Sequence, residues 1–200
     1  MLQFKNAAPK VHGFFLGSLL VLGLMAVGSI PSLSQDRPKP EIIQAVAMGT
    51  STQVGQQFHV RLIINEYSTE EDRQILIEAF EKGKNQGLVN ALEKMRAVGR
   101  IAIEGTLGYD ISYIRSIPTP TGRKIRFITN RLLRFGETYY STRSADYNLT
   151  GGELDLNDQD RSKSTGGLYP LAKLRLDKDK QLSLDLNMNP WKLISILWDR

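Results

Sequence analysis

The sequence predicts an α+β fold: an antiparallel β-sheet or half-barrel, with a helical pair inserted after the second strand. Three observations predict it. Phe58, Val60, Leu62 and Ile64 alternate with His59, Arg61 and Asn65, the period-two signature of a half-buried strand. Residues 68–97 switch to a helical period, with stops at Gly83 and Gly99. Leucines on either side of Asp177-Lys178-Asp179-Lys180 then spell a hairpin. Helices kept apart from runs of strands argue against a parallel, doubly wound sheet.

The elements follow in order. Ile42 to Met48 is an apolar run broken at Gln44, a strand, and Gly49 to Gln57 is a polar loop. Phe58 to Glu66 is the second strand. Ser68-Thr69-Glu70-Glu71 matches a capping box, in which Ser68 accepts from the Glu71 amide and Glu71 reaches back. Acids at 70, 71 and 72 favour the positive end of the helix dipole. Leu76, Ala79 and Phe80 give this helix its core face and Gly83 its stop. A second helix is expected from Gln86 to Ala97, with Leu88, Ala91, Leu92 and Met95 on one side, ending at Gly99.

Strands return after Gly99. Arg100 to Glu104 is short. Tyr109, Ile111, Tyr113 and Ile117 share one face of the next strand. Residues 118–122 form a turn by composition, and Lys124 to Thr129 completes a hairpin. Arg131 to Asn148 is irregular. Glu153 to Leu156 is a strand, followed by a loop at 157–167. Leu174 to Leu176 pairs with Leu182 to Leu186, and Trp191 to Trp198 is the last strand.

The first 34 residues read differently. Lys5 and Lys10 are the only charges before Asp36, and Phe14 to Ile30 is apolar apart from small residues. This is a secretory signal pattern, with Ser32 and Ser34 at −3 and −1 of a cut before Gln35. A cut after Gly28 is the weaker option, and an uncleaved anchor helix is the alternative. The apolar run has 17 residues and three glycines, short for a bilayer core of about 30 Å. The expected organisation is a signal peptide (1–34), a linker (35–40) and a single α+β domain (41–200), secreted or periplasmic. No stable transmembrane span is expected after processing.

Composition excludes several chemistries. The 200 residues contain no cysteine and only two histidines, His12 and His59. Disulfides, thiol catalysis, iron–sulfur clusters and Cys-type zinc sites are therefore out. Loss of Lys5 and Lys10 with residues 1–34 would lower the net charge from +5 to +3, a slight excess that demands no nucleic acid. His59 has no Gly-x-Ser-x-Gly elbow to serve. Asp155 to Asp160 fails the calcium-loop pattern, because its sixth and twelfth positions are Asp160 and Gly166. No phosphate-binding glycine loop occurs. Arg123, Lys124, Arg126, Arg131 and Arg134 form a basic cluster, read as the wet face of a strand. Asn148-Leu149-Thr150 is a glycosylation sequon, meaningful only on a eukaryotic secretory route.

Five motifs occur in order between Ser68 and Pro170: Glu70-Glu71-Asp72-Arg73, Val98-Gly99-Arg100-Ile101, Gly105 to Asp110, Gly122-Arg123-Lys124-Ile125, and Arg143-Ser144-Ala145-Asp146-Tyr147. In them the chain resembles a family of bacterial exported proteins without an assigned activity. The resemblance covers about half the chain and implies a secreted or periplasmic setting, but no catalytic residues. The same region holds the expected binding residues: Tyr109, Asp110, Tyr113, Arg143, Asp146 and Tyr147. Arg143 and Asp146 are expected to pair locally, and Gly108 to permit a bulge or close backbone approach.

The functional expectation is a non-enzymatic binding or envelope-associated module. It would need no metal or cofactor, and its partner would be an apolar small molecule, held on a concave face of aliphatic and tyrosine side chains, or an envelope component. The alternative is a hydrolase acting on an envelope polymer through paired carboxylates drawn from Glu104, Asp110, Glu137, Asp146 and Glu153.

Overall fold

The computed structural model describes residues 39–131, 133, 148–178, 182–185 and 189–199, all within the unit Arg37–Arg200. The strands are β1 (Glu41–Met48), β2 (Gln57–Ile64), β3 (Gly99–Ile103), β4 (Tyr109–Ile111), β5 (Tyr113–Thr119), β6 (Gly122–Thr129), β7 (Leu149–Asn157), β8 (Thr165–Leu176), β9 (Leu182–Asp185) and β10 (Trp191–Trp198). One helix, α1 (Glu70–Leu92), lies between β2 and β3, and short 3-10 turns occupy Ser51–Gln53 and Arg161–Lys163.

The strands form one antiparallel sheet in the order β4-β3-β2-β1-β10-β8-β7-β6-β5, with β9 added beside β8. The two ends of this order are neighbours in the chain, because only Ser112 separates β4 from β5. A continuous stretch thus leaves the β3 edge and joins the β6 edge, and the sheet curls into a nearly closed barrel.

This corrects the expected α+β half-barrel with a helical pair. The sheet curls into a nearly closed barrel, and the helical region is a single kinked element. Gly83 does not end it. The one non-helical residue inside is Lys84 (φ 50°, ψ −141°), where the helix kinks and continues. The kink has a partner: the buried Asn85 side chain accepts a hydrogen bond from the Leu174 amide of β8 at 3.1 Å. The N-cap is Thr69 rather than Ser68. Its hydroxyl accepts from the Asp72 amide and the Asp72 carboxylate accepts from the Thr69 amide, a capping box one residue later than expected. Ser68 instead closes a sheet edge, accepting from the Ile114 amide and donating its own amide to the Ile114 carbonyl.

Two apolar clusters hold the unit together. The first fills the barrel, with Ile43, Leu62, Ile101, Phe127, Leu154 and Trp191 at inward positions of six strands. The second lies outside, where Leu76, Phe80, Leu88 and Leu92 of α1 cover Tyr113, Ile128, Leu149 and Leu174. Two strands change face between them. Ile111 and Ile114 belong to the inner cluster and Tyr113 to the outer one, so the single alternating strand expected over 109–117 does not exist. In β8 an extra residue opposite Leu149–Gly151 shifts the register, placing Leu168 inside and Leu174 outside.

One end of the barrel is closed by polar groups. Glu41 and Arg123 occupy inward positions on β1 and β6, at opposite sides of the ring. Arg123 Nη1 donates to Glu41 Oε2 at 3.0 Å, and Nη2 donates to Oε1. Tyr67 donates to Glu41 at 2.7 Å and accepts from Arg123 at 3.0 Å. The phenol is pushed well above its ordinary range, first by burial and then by the adjacent Glu41 carboxylate.

Candidate functional site

Of the six expected binding residues, the three that are described, Tyr109, Asp110 and Tyr113, have different surroundings. Tyr109 packs against the barrel interior. Asp110 faces outward and accepts from Arg100 Nε at 3.2 Å and Nη2 at 3.1 Å. Tyr113 is buried under α1, and that burial raises its pKa. Arg143, Asp146 and Tyr147 lie outside the described residues, as does their expected ion pair. Gly108 does permit a close approach: it adopts φ +78°, and a Cβ there would sit 2.5 Å from the Ile101 carbonyl oxygen.

Of the carboxylates named for hydrolysis, Asp110 and Glu153 are engaged by basic side chains. Asp110 is held by Arg100. Glu153 accepts from Lys124 at 2.8 Å and Arg126 at 2.6 Å. Burial pushes its carboxyl up, but these two hydrogen bonds outweigh burial and leave it below its ordinary range. Glu137 and Asp146 lie outside the described residues. Most of the basic cluster is paired in the same way: Arg123 with Glu41, Lys124 and Arg126 with Glu153. At the sequon, Leu149 and Thr150 are fully buried and the Thr150 hydroxyl donates to Pro170 O, so this segment offers no open acceptor loop.

The barrel interior is filled by its own side chains. Open space lies on the outside. A cleft with room for only about 40 Å³ separates α1 from β5, β6 and the β8–β9 hairpin, with Tyr113 in its wall. A far larger groove of about 560 Å³ crosses β10, β1, β2 and β3 on their outer face. That size falls within the usual range for small-molecule sites.

Strand register builds this groove. Val46 opposes His59 on one side and Ile194 on the other, and Gln44 opposes Arg61 and Leu197. Arg61 in turn opposes Ala102 on β3. Val46, Ala102 and Leu197 form an apolar floor, and Leu197 is 63% exposed. His59 Nδ1 lies 2.6 Å from Glu104 Oε2 at the β3 end. Arg61 is exposed and has no anionic partner among the described residues. At the other end, Ser195 and Ile196 both oppose Ala45, a bulge with Ser195 at φ 50°.

Ser195, His59 and Glu104 do not make a nucleophilic triad. Val46 on β1 stands between Ser195 and His59, a separation of two strands, or roughly 10 Å. A serine must approach within hydrogen-bond reach of its base. Among the described residues no three His, Asp or Glu side chains cluster to hold a metal ion. No helix among them is long and apolar enough to cross a membrane. The groove offers a cation, a His–carboxylate pair and an apolar floor.

The alternation in the sequence marks His59 and Arg61 as outward residues of one strand. It misses the groove because Val46, Ala102 and Leu197 come from three other strands. Their signal is an aliphatic residue at an outward position, legible only once each strand's inward parity is known. Comparison with protein-family models, with curated proteins and with solved structures found no match.

Proposed function

We propose that this chain is an exported bacterial binding module of the cell envelope, and that its ligand lies in the groove across β10, β1, β2 and β3. The signal pattern of residues 1–34 supports export, together with the resemblance to exported bacterial proteins. One observation carries the binding role: a groove of about 560 Å³ in which an exposed, unpaired Arg61 stands beside an apolar floor. The other large outer surface is already covered by α1. A hydrolase using paired carboxylates needs two acids on one groove, and Glu104 is the only acid among the described lining residues.

The test uses protein expressed in a bacterium with its own leader. Native mass spectrometry of the periplasmic fraction is expected to show a processed chain carrying a small molecule. Ala102→Trp, which fills the groove floor, is expected to remove that molecule while the circular dichroism spectrum is retained. An intact amino terminus on cytosolic protein would overturn export. A ligand kept unchanged by Ala102→Trp would overturn the groove.

A further inference from the structure

We infer that the groove selects an amphiphile with one acidic head group and an unbranched apolar tail, Arg61 holding the acid. The inference rests on the binding role proposed for this groove and goes on to name the ligand class.

Charge is the first argument. Arg73, Arg96, Arg100, Arg115, Arg123 and Arg126 all face a carboxylate within 4.0 Å. Arg61 has none among the described residues, nor have Arg131, Arg161 and Arg175, but of these four only Arg61 lines the groove, although a carboxylate stands just past the end of β3. That carboxylate, Glu104, is engaged by His59 one register step away, which leaves the Arg61 guanidinium open. A guanidinium presents a planar fork that fits an acid head with two oxygens. Gln44, directly opposite Arg61 on β1, adds an uncharged donor beside it.

Shape and polarity are the second. From Arg61 the floor continues over Val46 and Leu197 to the Ser195 bulge. The distance from Arg61 to Leu197 is two strand spacings, roughly 10 Å, which suits a medium-length acyl chain. The opposite end is blocked to a second acid by the Glu104 carboxylate. A diacid or a free inorganic anion therefore uses only part of the site.

Calorimetry and amide-resolved NMR on the processed chain test this with four probes below their micelle concentrations: decanoate, decyl phosphate, decanol and acetate. Decanoate or decyl phosphate is expected to bind, with shifts confined to β1, β2, β3 and β10; the tighter of the two identifies the head group. Decanol and acetate are expected to bind at least roughly tenfold more weakly, the value of one charge-assisted contact. Arg61→Ala is expected to cost the acid probe a similar factor and leave decanol unchanged, with partial recovery in Arg61→Lys. Equal binding of decanol and decanoate, or an unchanged affinity in Arg61→Ala, would sink the acid-head inference while leaving the groove intact. Shifts mapping outside these four strands, or acid binding untouched by Ala102→Trp, would remove the groove itself.

Discussion

Glu41, Tyr67 and Arg123 meet where β1 and β6 face each other across the barrel end, and this residue trio has measurable consequences. Both charged side chains keep less than a fifth of their surface exposed, 16% for Glu41 and 17% for Arg123. Removing one member strands the other in a poorly solvated place, which costs more than the intact pair contributes. Arg123→Met is expected to lower stability by about 2–3 kcal/mol, read by urea unfolding. The double variant Glu41→Leu/Arg123→Met is expected to lose less than the single one, because no charge is then left uncompensated. Tyr67 adds a pH dependence. Its folded-state pKa is raised above the ordinary tyrosine value of about 10, so the unfolded chain releases this proton first as pH rises. Its contribution is fully present below pH 10 and is lost progressively above it. In Tyr67→Phe that part of the alkaline decline is expected to disappear, at the expense of two hydrogen bonds that lower stability at neutral pH.

At the scale of the element, α1 shows how a local rule is displaced by tertiary demand. Glycine is the usual helix stop, yet the break falls on Lys84 and not on Gly83. A β-carbon at φ 50°, ψ −141° is strained by roughly 1–3 kcal/mol. The kink persists because it presents Asn85 to the otherwise open Leu174 amide. Lys84→Gly is expected to raise stability by roughly 1 kcal/mol, less whatever is lost from the Lys84 ammonium 5.2 Å above the Phe80 ring. Asn85→Ala is expected to lower it by about 1–3 kcal/mol, since it leaves a buried amide unpaired. Thermal unfolding of both variants measures these opposite signs. Edge strand β5 shows similar local economy. In a strand, alternate amides point to the same edge. Of the outward amides at 114, 116 and 118, the first is taken by Ser68 and the third is absent in Pro118. A nearly blank edge resists pairing with another chain.

The same comparison separates what was legible in the sequence from what was not. β2 and the paired segments of the β8–β9 hairpin stood out because apolar residues alternate with polar ones along them. Leu174 opposite Leu184 and Leu176 opposite Leu182 repeat that pattern across two strands. Closure of the barrel was hidden. It depends on β1 pairing with β10, more than 140 residues apart in the chain, and no local signal reports such a pairing. The face changes at Ser112 and in β8 also break the alternation on which strand recognition relies. The candidate site inherited both difficulties, since Arg61 gains its role only beside Val46, Ala102 and Leu197 from other strands.

For the whole molecule, the question is whether the barrel and its outer helix unfold together. β5, β6 and β8 each contribute side chains to both apolar clusters: Ile114 and Tyr113, Phe127 and Ile128, Leu168 and Leu174. Detaching α1 exposes one face of strands whose other face fills the barrel, and loosening the barrel removes the platform for α1. Shared strands therefore couple the clusters into one cooperative unit. The tryptophans make this measurable. Trp191 and Trp198 are the only two in the chain, and both are buried in the inner cluster. Their fluorescence reports the barrel, while far-ultraviolet circular dichroism at the helical band reports α1, the only α-helix among the described residues. In urea the two signals are expected to share one midpoint and one slope. Phe127→Leu, a change confined to the inner cluster, is expected to lower both midpoints equally by roughly 1 kcal/mol of stability. A helical signal that melts first, or that keeps its midpoint in Phe127→Leu, would mean the strands do not transmit packing from one face to the other, and the outer layer would then be a separately removable cover.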